Sequence, residues 1–172
     1  MALDKHNNNQ NRSDSNEANC LLTAHKLLKW NARVVGVVSF DDPKFTASYC
    51  FDLANAIHQI SSNLISTLVS EDTPNRASQQ TNSFFIHKHV DFKKIETLDV
   101  ISNLAHKTQK ANHLLFIDLL QLVDRGNHLE TSQRCDKIIL MVPQRKSNEF
   151  SLKKKIKVFE QKEKIELVLV SR

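Results

Sequence analysis

Apolar side chains along this chain fall into two patterns that take turns. In "EANCLLTAHKLLKW", Leu21, Ala24 and Leu28 recur with Leu22 beside them, which is the spacing of one helical face. "RVVGVVSF" follows, a β-branched run without alternation, as expected of a strand buried on both faces of a parallel sheet. A polar elbow leads to Ala47, Cys50, Phe51, Ala54 and Ile57 at spacings of three and four, predicting a helix from Thr46 to about Gln59. "NLISTLV" reads as a second strand, "EDTPNRASQQTN" as a turn-rich loop and "SFFIHKHV" as a third strand. Leu98, Ile101, Leu104 and Ala105 mark one face of another helix, after which "HLLFIDLL" and "DKIILMV" return to the buried-strand pattern. Leu152, Ile156 and Phe159 give "SNEFSLKKKIKVFEQKEK" an apolar helical face opposite its lysines, and "IELVLV" is a last strand. Strands alternating with helices predict an α/β three-layer sandwich, a mostly parallel central sheet flanked by helices, with Val34–Val38, Leu114–Ile117 and Ile138–Val142 at its centre.

Composition narrows this picture. The 172 residues suit one domain, expected over residues 16–172, with the polar, Asn-rich residues 1–15 as a disordered tail. Cys20, Cys50 and Cys135 are an odd number at unpatterned spacing beside apolar segments, so they read as buried thiols in a reducing compartment. No apolar run reaches the roughly 20 residues a membrane span needs, and residues 1–17 lack a signal core, so a cytoplasmic protein is expected. The net charge of +5 allows anionic partners without requiring them, because 19 acidic residues are interspersed. Only two glycines are present, Gly36 and Gly126, so backbone amides free to wrap a phosphate are scarce.

The succession "EANCLLTAHKLL", "RVVGVVSF", "FDLANAI", "HLLFID" and the closing strand, helix and strand from Cys135 resembles the kinase domain of bacterial tyrosine autokinases. More broadly it resembles the P-loop ATPases of the MinD and ParA type, over about residues 17–172. Setting "FDLANA" against that family's Asn-Leu-Ala segment puts the two loop glycines at Pro43 and Phe45, the phosphate lysine at Thr46 and the magnesium hydroxyl near Ala47. Proline has no amide hydrogen to give a phosphate, phenylalanine fills the space a backbone would approach through, threonine has no charge and alanine no oxygen. Lys44 stands two positions early and reads as a solvated lysine. Asp118, at the end of "HLLFID", corresponds to the magnesium-holding aspartate, but "LLQLV" follows it, so a polar strand end is the favoured reading. Glu71 and Asp72 only approximate the second acidic motif and are assigned no role. The family's ring-forming Glu and two Arg fall at Glu17, Cys20 and Thr23, and the single tyrosine, Tyr49, lies within a predicted helix rather than a tail.

Other constellations are weaker. His87 and His89 alternate along a strand, compatible with metal ligation, but no third ligand is placed. Cys50 with a histidine has no supporting spacing as a nucleophile and base. Lys153 to Lys157 could meet phosphates, yet Ile156 interrupts the run at core spacing, which favours an amphipathic helix and no specific nucleic-acid binding. The expectation is a catalytically inactive subunit without cofactor, metal or catalytic residue. The resemblance implies a binding or regulatory role in bacterial exopolysaccharide or envelope polysaccharide synthesis and export. It also implies a protein partner such as a membrane adaptor at the inner face of the membrane, a synthase or a homologue, and leaves room for a homo-oligomer. Alternatives are a nucleotide-binding enzyme with a rebuilt site and a positioning protein of the ParA or MinD kind.

Overall fold

A computed structural model describes residues 4–39, 43–71, 83–92, 96–110, 112–123, 128–143, 156, 157, 159 and 162–170. In chain order the elements are α1 (Asp4–Lys29), β1 (Val34–Ser39), α2 (Pro43–Ile60), β2 (Ile65–Ser70), β3 (Phe85–His89), α3 (Glu96–Lys110), β4 (His113–Asp118), α4 (Leu120–Val123), α5 (His128–Arg134), β5 (Lys137–Pro143) and β6 (Ile165–Val170). A 3-10 turn, Lys162–Lys164, leads into β6. All six strands run parallel in one sheet of order β3-β2-β4-β1-β5-β6. The three strands expected at the centre, β1, β4 and β5, occupy interior positions, and the fold is the α/β sandwich the alternating pattern predicts.

The sheet separates two cores. One face buries Val35, Val37, Leu114, Phe116, Ile139 and Met141 beneath α1 and α2, which supply Ala24, Leu27, Leu53 and Ile57. The other face buries Val34, Val38, Leu115, Ile117, Ile138 and Leu140 against Ile101 and Ala105 of α3, with Leu119, Leu122, Cys135 and Phe159. Period-two alternation within uniformly buried strands produces both cores at once. Gly36 belongs to the second face, and a Cβ there would meet Leu119 Cδ1 at 2.3 Å. This glycine makes room for packing; it is not a phosphate-loop residue.

The start of α1 differs from expectation. The helix begins at Asp4, inside the segment read as a disordered tail. Extending a helix already anchored by buried Cys20, Ala24 and Leu27 costs far less than nucleating one, so a polar stretch can continue the helix without burying apolar area. At its other end Asn31, φ 52°, adopts the left-handed conformation that stops a helix. Its N–H donates to the Leu28 carbonyl and that of Ala32 to the Leu27 carbonyl, both at 3.0 Å, while Lys26 and Lys29 complement the helix dipole. The carboxylate of Asp136 then accepts the N–H groups of Arg33 and Val34 at 2.7 and 2.9 Å and fixes the entry of β1. The basic segment Lys153 to Lys157 lies outside the described residues except Ile156 and exposed Lys157. Asp72 and the rest of the turn-rich loop after Glu71 also lie outside them.

Candidate functional site

Ligands of open parallel sheets sit beyond the carboxyl ends of the strands, where the strand order reverses. Here β1 leads across β4 to β2, and β4 leads back across β1 to β5, so the switch lies between β1 and β4. Val37 of β1 pairs with Asp118 of β4 at that end. Ser39, Asp118 and Ser70 close β1, β4 and β2 on the face covered by α1 and α2, two residues beyond Val37, Phe116 and Leu68. All three are buried, as is Thr46 of α2, which stands one turn before Cys50 on the same helix face. The result is a buried row of hydroxyls and one carboxylate under the first turns of α2.

Each member has a definite setting. Asp118 Oδ1 accepts the N–H of Leu120 at 3.1 Å and thereby starts α4, the strand-end role the sequence favours. Thr46 Oγ1 finds no hydrogen-bond partner among the described residues although the residue is 0% exposed. Ser70 Oγ is 2.7 Å from His87 Nε2 on the neighbouring strand. Hydroxyl and imidazole at that distance have the geometry of an activated nucleophile. Ser70 is only 1% exposed, however, so its Oγ is closed to an incoming carbonyl, and the pair serves to tie edge strand β3 to β2. Burial pushes the Cys50 thiol well above its ordinary value, with the charges of Asp118, Cys20 and Asp52 adding to the effect, so it supplies no thiolate.

The sequence-derived positions separate on inspection. Only residues 40–42 lie between the end of β1 and Pro43, the first residue of α2, where a missing N–H costs nothing. Phe45, Thr46 and Ala47, which the resemblance sets at the second glycine, the lysine and the magnesium hydroxyl, are therefore helical, with Phe45 packed against the core. The side chain of Lys44 lies outside the described residues. Glu71 does structural work, its carboxylate accepting the Phe92 N–H at 2.9 Å. His87 and His89 are two apart on β3 as expected; His89 is exposed and His87 is held by Ser70. No group of three or more His, Cys, Asp or Glu among the described residues could hold a metal ion. Cys20 and Thr23 are buried against α2, so two of the three ring positions are not on the surface, while Glu17 is exposed. Asn19 and Lys26 of α1 instead hold β6, through the Leu169 carbonyl at 2.8 Å and an ion pair with Glu166.

Sequence reasoning missed the hydroxyls at Ser39 and Ser70 and read Thr46 only for its lack of charge. A polar residue closing an otherwise apolar strand was the available signal, present in "VVGVVS" and "ISTLVS". No helix among the described residues is long and apolar enough to cross a membrane. Comparison with protein-family models, with curated proteins and with solved structures finds no match.

Proposed function

We propose that this chain is a P-loop-like domain without phosphate-binding chemistry, a non-catalytic subunit that acts by binding other proteins. One observation carries the reading: three residues join β1 to α2, and the positions that would hold phosphate and magnesium are already inside the helix, with Thr46 fully buried. A phosphate loop needs a longer run of free amides ending in a lysine and a hydroxyl. The adjacency of β4 to β1, which sets the acid-ended strand beside the strand before the elbow, supports the likeness to P-loop ATPases. A regulatory role in envelope polysaccharide synthesis and export, with an adaptor, synthase or homologous kinase as partner, follows from the resemblance to bacterial tyrosine autokinases.

Calorimetric titration with ATP and magnesium tests the reading. Each missing charge-assisted hydrogen bond removes about 1.5–3 kcal/mol, so the expected affinity is millimolar or weaker, with no hydrolysis. Micromolar affinity that disappears in Asp118→Asn would establish the second reading, an enzyme with a rebuilt site. That reading has one observation in its favour, a fully buried carboxylate at the switch between β4 and β1.

A further inference from the structure

At the opposite, amino-terminal end of the sheet a recess of ≈ 280 Å³ opens where α1 and α2 finish and β1, β2 and β4 begin. That volume equals about nine waters of liquid. Leu28, Ala32 and Leu64 form its apolar floor, Ala32 and Leu64 being buried. Around the rim stand Asn31, Arg33, Ser61, Asn63 and Asn112. The nearby backbone is already paired: Leu64 N–H to the Ser61 carbonyl at 3.1 Å, Ile65 N–H to the Asn112 carbonyl at 3.0 Å and Leu115 N–H to the Arg33 carbonyl at 2.8 Å. The five rim side chains, in contrast, form no hydrogen bond or ion pair among the described residues. The recess is therefore a small, open and mainly polar one, with Asn31, Asn63 and Asn112 exposed around a short apolar floor, and its polar side chains are uncommitted among the described residues.

Charge selects the ligand. Arg33 is the only ionisable group on the recess wall among the described residues, and its guanidinium suits the two oxygens of a carboxylate. Three helices, α1, α2 and α3, end here, and helix carboxyl ends carry partial negative charge, which disfavours a dianion such as phosphate more than a monoanion. We propose that this recess binds a small monoanionic carboxylate, its charge on Arg33, its apolar part on Leu28 and Leu64, and its other polar atoms among the asparagine amides. The site does not depend on the reading of the carboxyl end, and a failure of either leaves the other standing.

Benzoate is the probe, with benzamide as its neutral isostere and inorganic phosphate as the dianion, followed by amide-resolved NMR on the full chain. Benzoate should shift the amide signals of residues 31–33, 61–64 and 112 in a saturable way, with at least a fivefold advantage over both controls. Arg33→Gln should weaken benzoate at least fivefold while the remaining spectrum stays that of the folded protein; Arg33→Lys should fall between. Equal response to benzamide or phosphate, indifference to Arg33→Gln, or no shift at 20 mM benzoate would each overturn the proposal.

Discussion

Both faces of the sheet bury polar atoms, but they settle them differently. On the face against α3, α4 and α5 the partners are local: the Thr108 hydroxyl donates to the Ala105 carbonyl at 2.7 Å, that of Ser132 to Leu129 at 2.8 Å, and the Cys135 thiol to Thr131 at 3.4 Å. Each donor stays within its own helix or the turn that follows, so it is satisfied before tertiary packing begins. On the α1 and α2 face Thr23 is settled in the same way, donating to the Asn19 carbonyl at 2.8 Å, but Ser39, Asp118, Ser70 and Thr46 come from four separate elements that only the assembled fold brings to one end of the sheet. One of them, Thr46 Oγ1, stays unpaired among the described residues. A locally satisfied face behaves as plain core, whereas buried polar groups drawn from four elements depend on the tertiary fold for their partners.

The largest effect should come from breaking the plain face. In Gly36→Ala the new methyl would lie 2.3 Å from Leu119 Cδ1 and 3.2 Å from Cys135 Sγ. Overpacking of this kind costs about 3 kcal/mol, seen as a lower urea midpoint with unchanged slope. Adding Leu119→Ala should recover part of the loss, since the two sites touch. If Gly36→Ala unfolds at the wild-type midpoint, that face is not packed as described.

A matched pair of substitutions then sharpens the contrast. Thr46→Val removes an unpaired hydroxyl and should raise stability by about 1 kcal/mol, while Thr108→Val removes a paired one and should lower it by about 1 kcal/mol. Opposite signs in denaturant melts confirm that the faces differ; a loss at Thr46 would mean that its hydroxyl has a partner.

The thiols probe both faces together. Burial pushes Cys20 and Cys135 up to about 12, the first helped by Asp52 and Glu17, the second partly offset by Lys164, and Cys50 is also raised. A raised folded value favours the protonated thiol in the native state, so these groups contribute full stability below their ordinary value of 9.0. That contribution is lost as pH climbs from there towards 12. Urea midpoints should therefore be insensitive to these thiols from pH 6 to 8 and decline above 9, less steeply in Cys135→Ala. All three thiols should resist alkylation at pH 7.5 and react together in urea.

The smallest effect concerns the rim of the sheet. Lys137 Nζ lies 4.4 Å from the centroid of the Trp30 ring, and Lys137→Met should cost about 0.5–1 kcal/mol and alter tryptophan emission. No change in either would mean that this exposed pair is not formed in solution.

The fold was legible because each buried run, such as Val34–Val38 or Ile138–Val142, is unambiguous as a strand, and the helical spacing from Ala47 to Ile57 leaves no competing period. Strand order was not legible, since nothing within "HLLFID" says that it lies beside "VVGVVS". The elbow was legible in composition but not in shape: the absence of glycine between Ser39 and Ser48 could be read, whereas the helix starting at Pro43 could not. The Ser70 and His87 contact joins residues 17 apart across two strands, and no local spacing rule marks such a pair. The amino-end recess was invisible for the same reason, its walls coming from three separate stretches of chain.

Sheet order also sets a timetable for synthesis. β1 lies between β4 and β5, yet β4 begins only at His113, 74 positions after β1 ends at Ser39. At 5–20 residues per second, the ribosome needs roughly 4–15 s to deliver the first partner for β1. Throughout that interval Val34, Val35, Val37 and Val38 have no strand to pair with, and α1 and α2 can cover only one of their two faces. The central strand of the finished sheet is thus its most aggregation-prone segment on the nascent chain, and substitutions that slow translation between residues 40 and 113 should lower the yield of folded protein without altering its final stability.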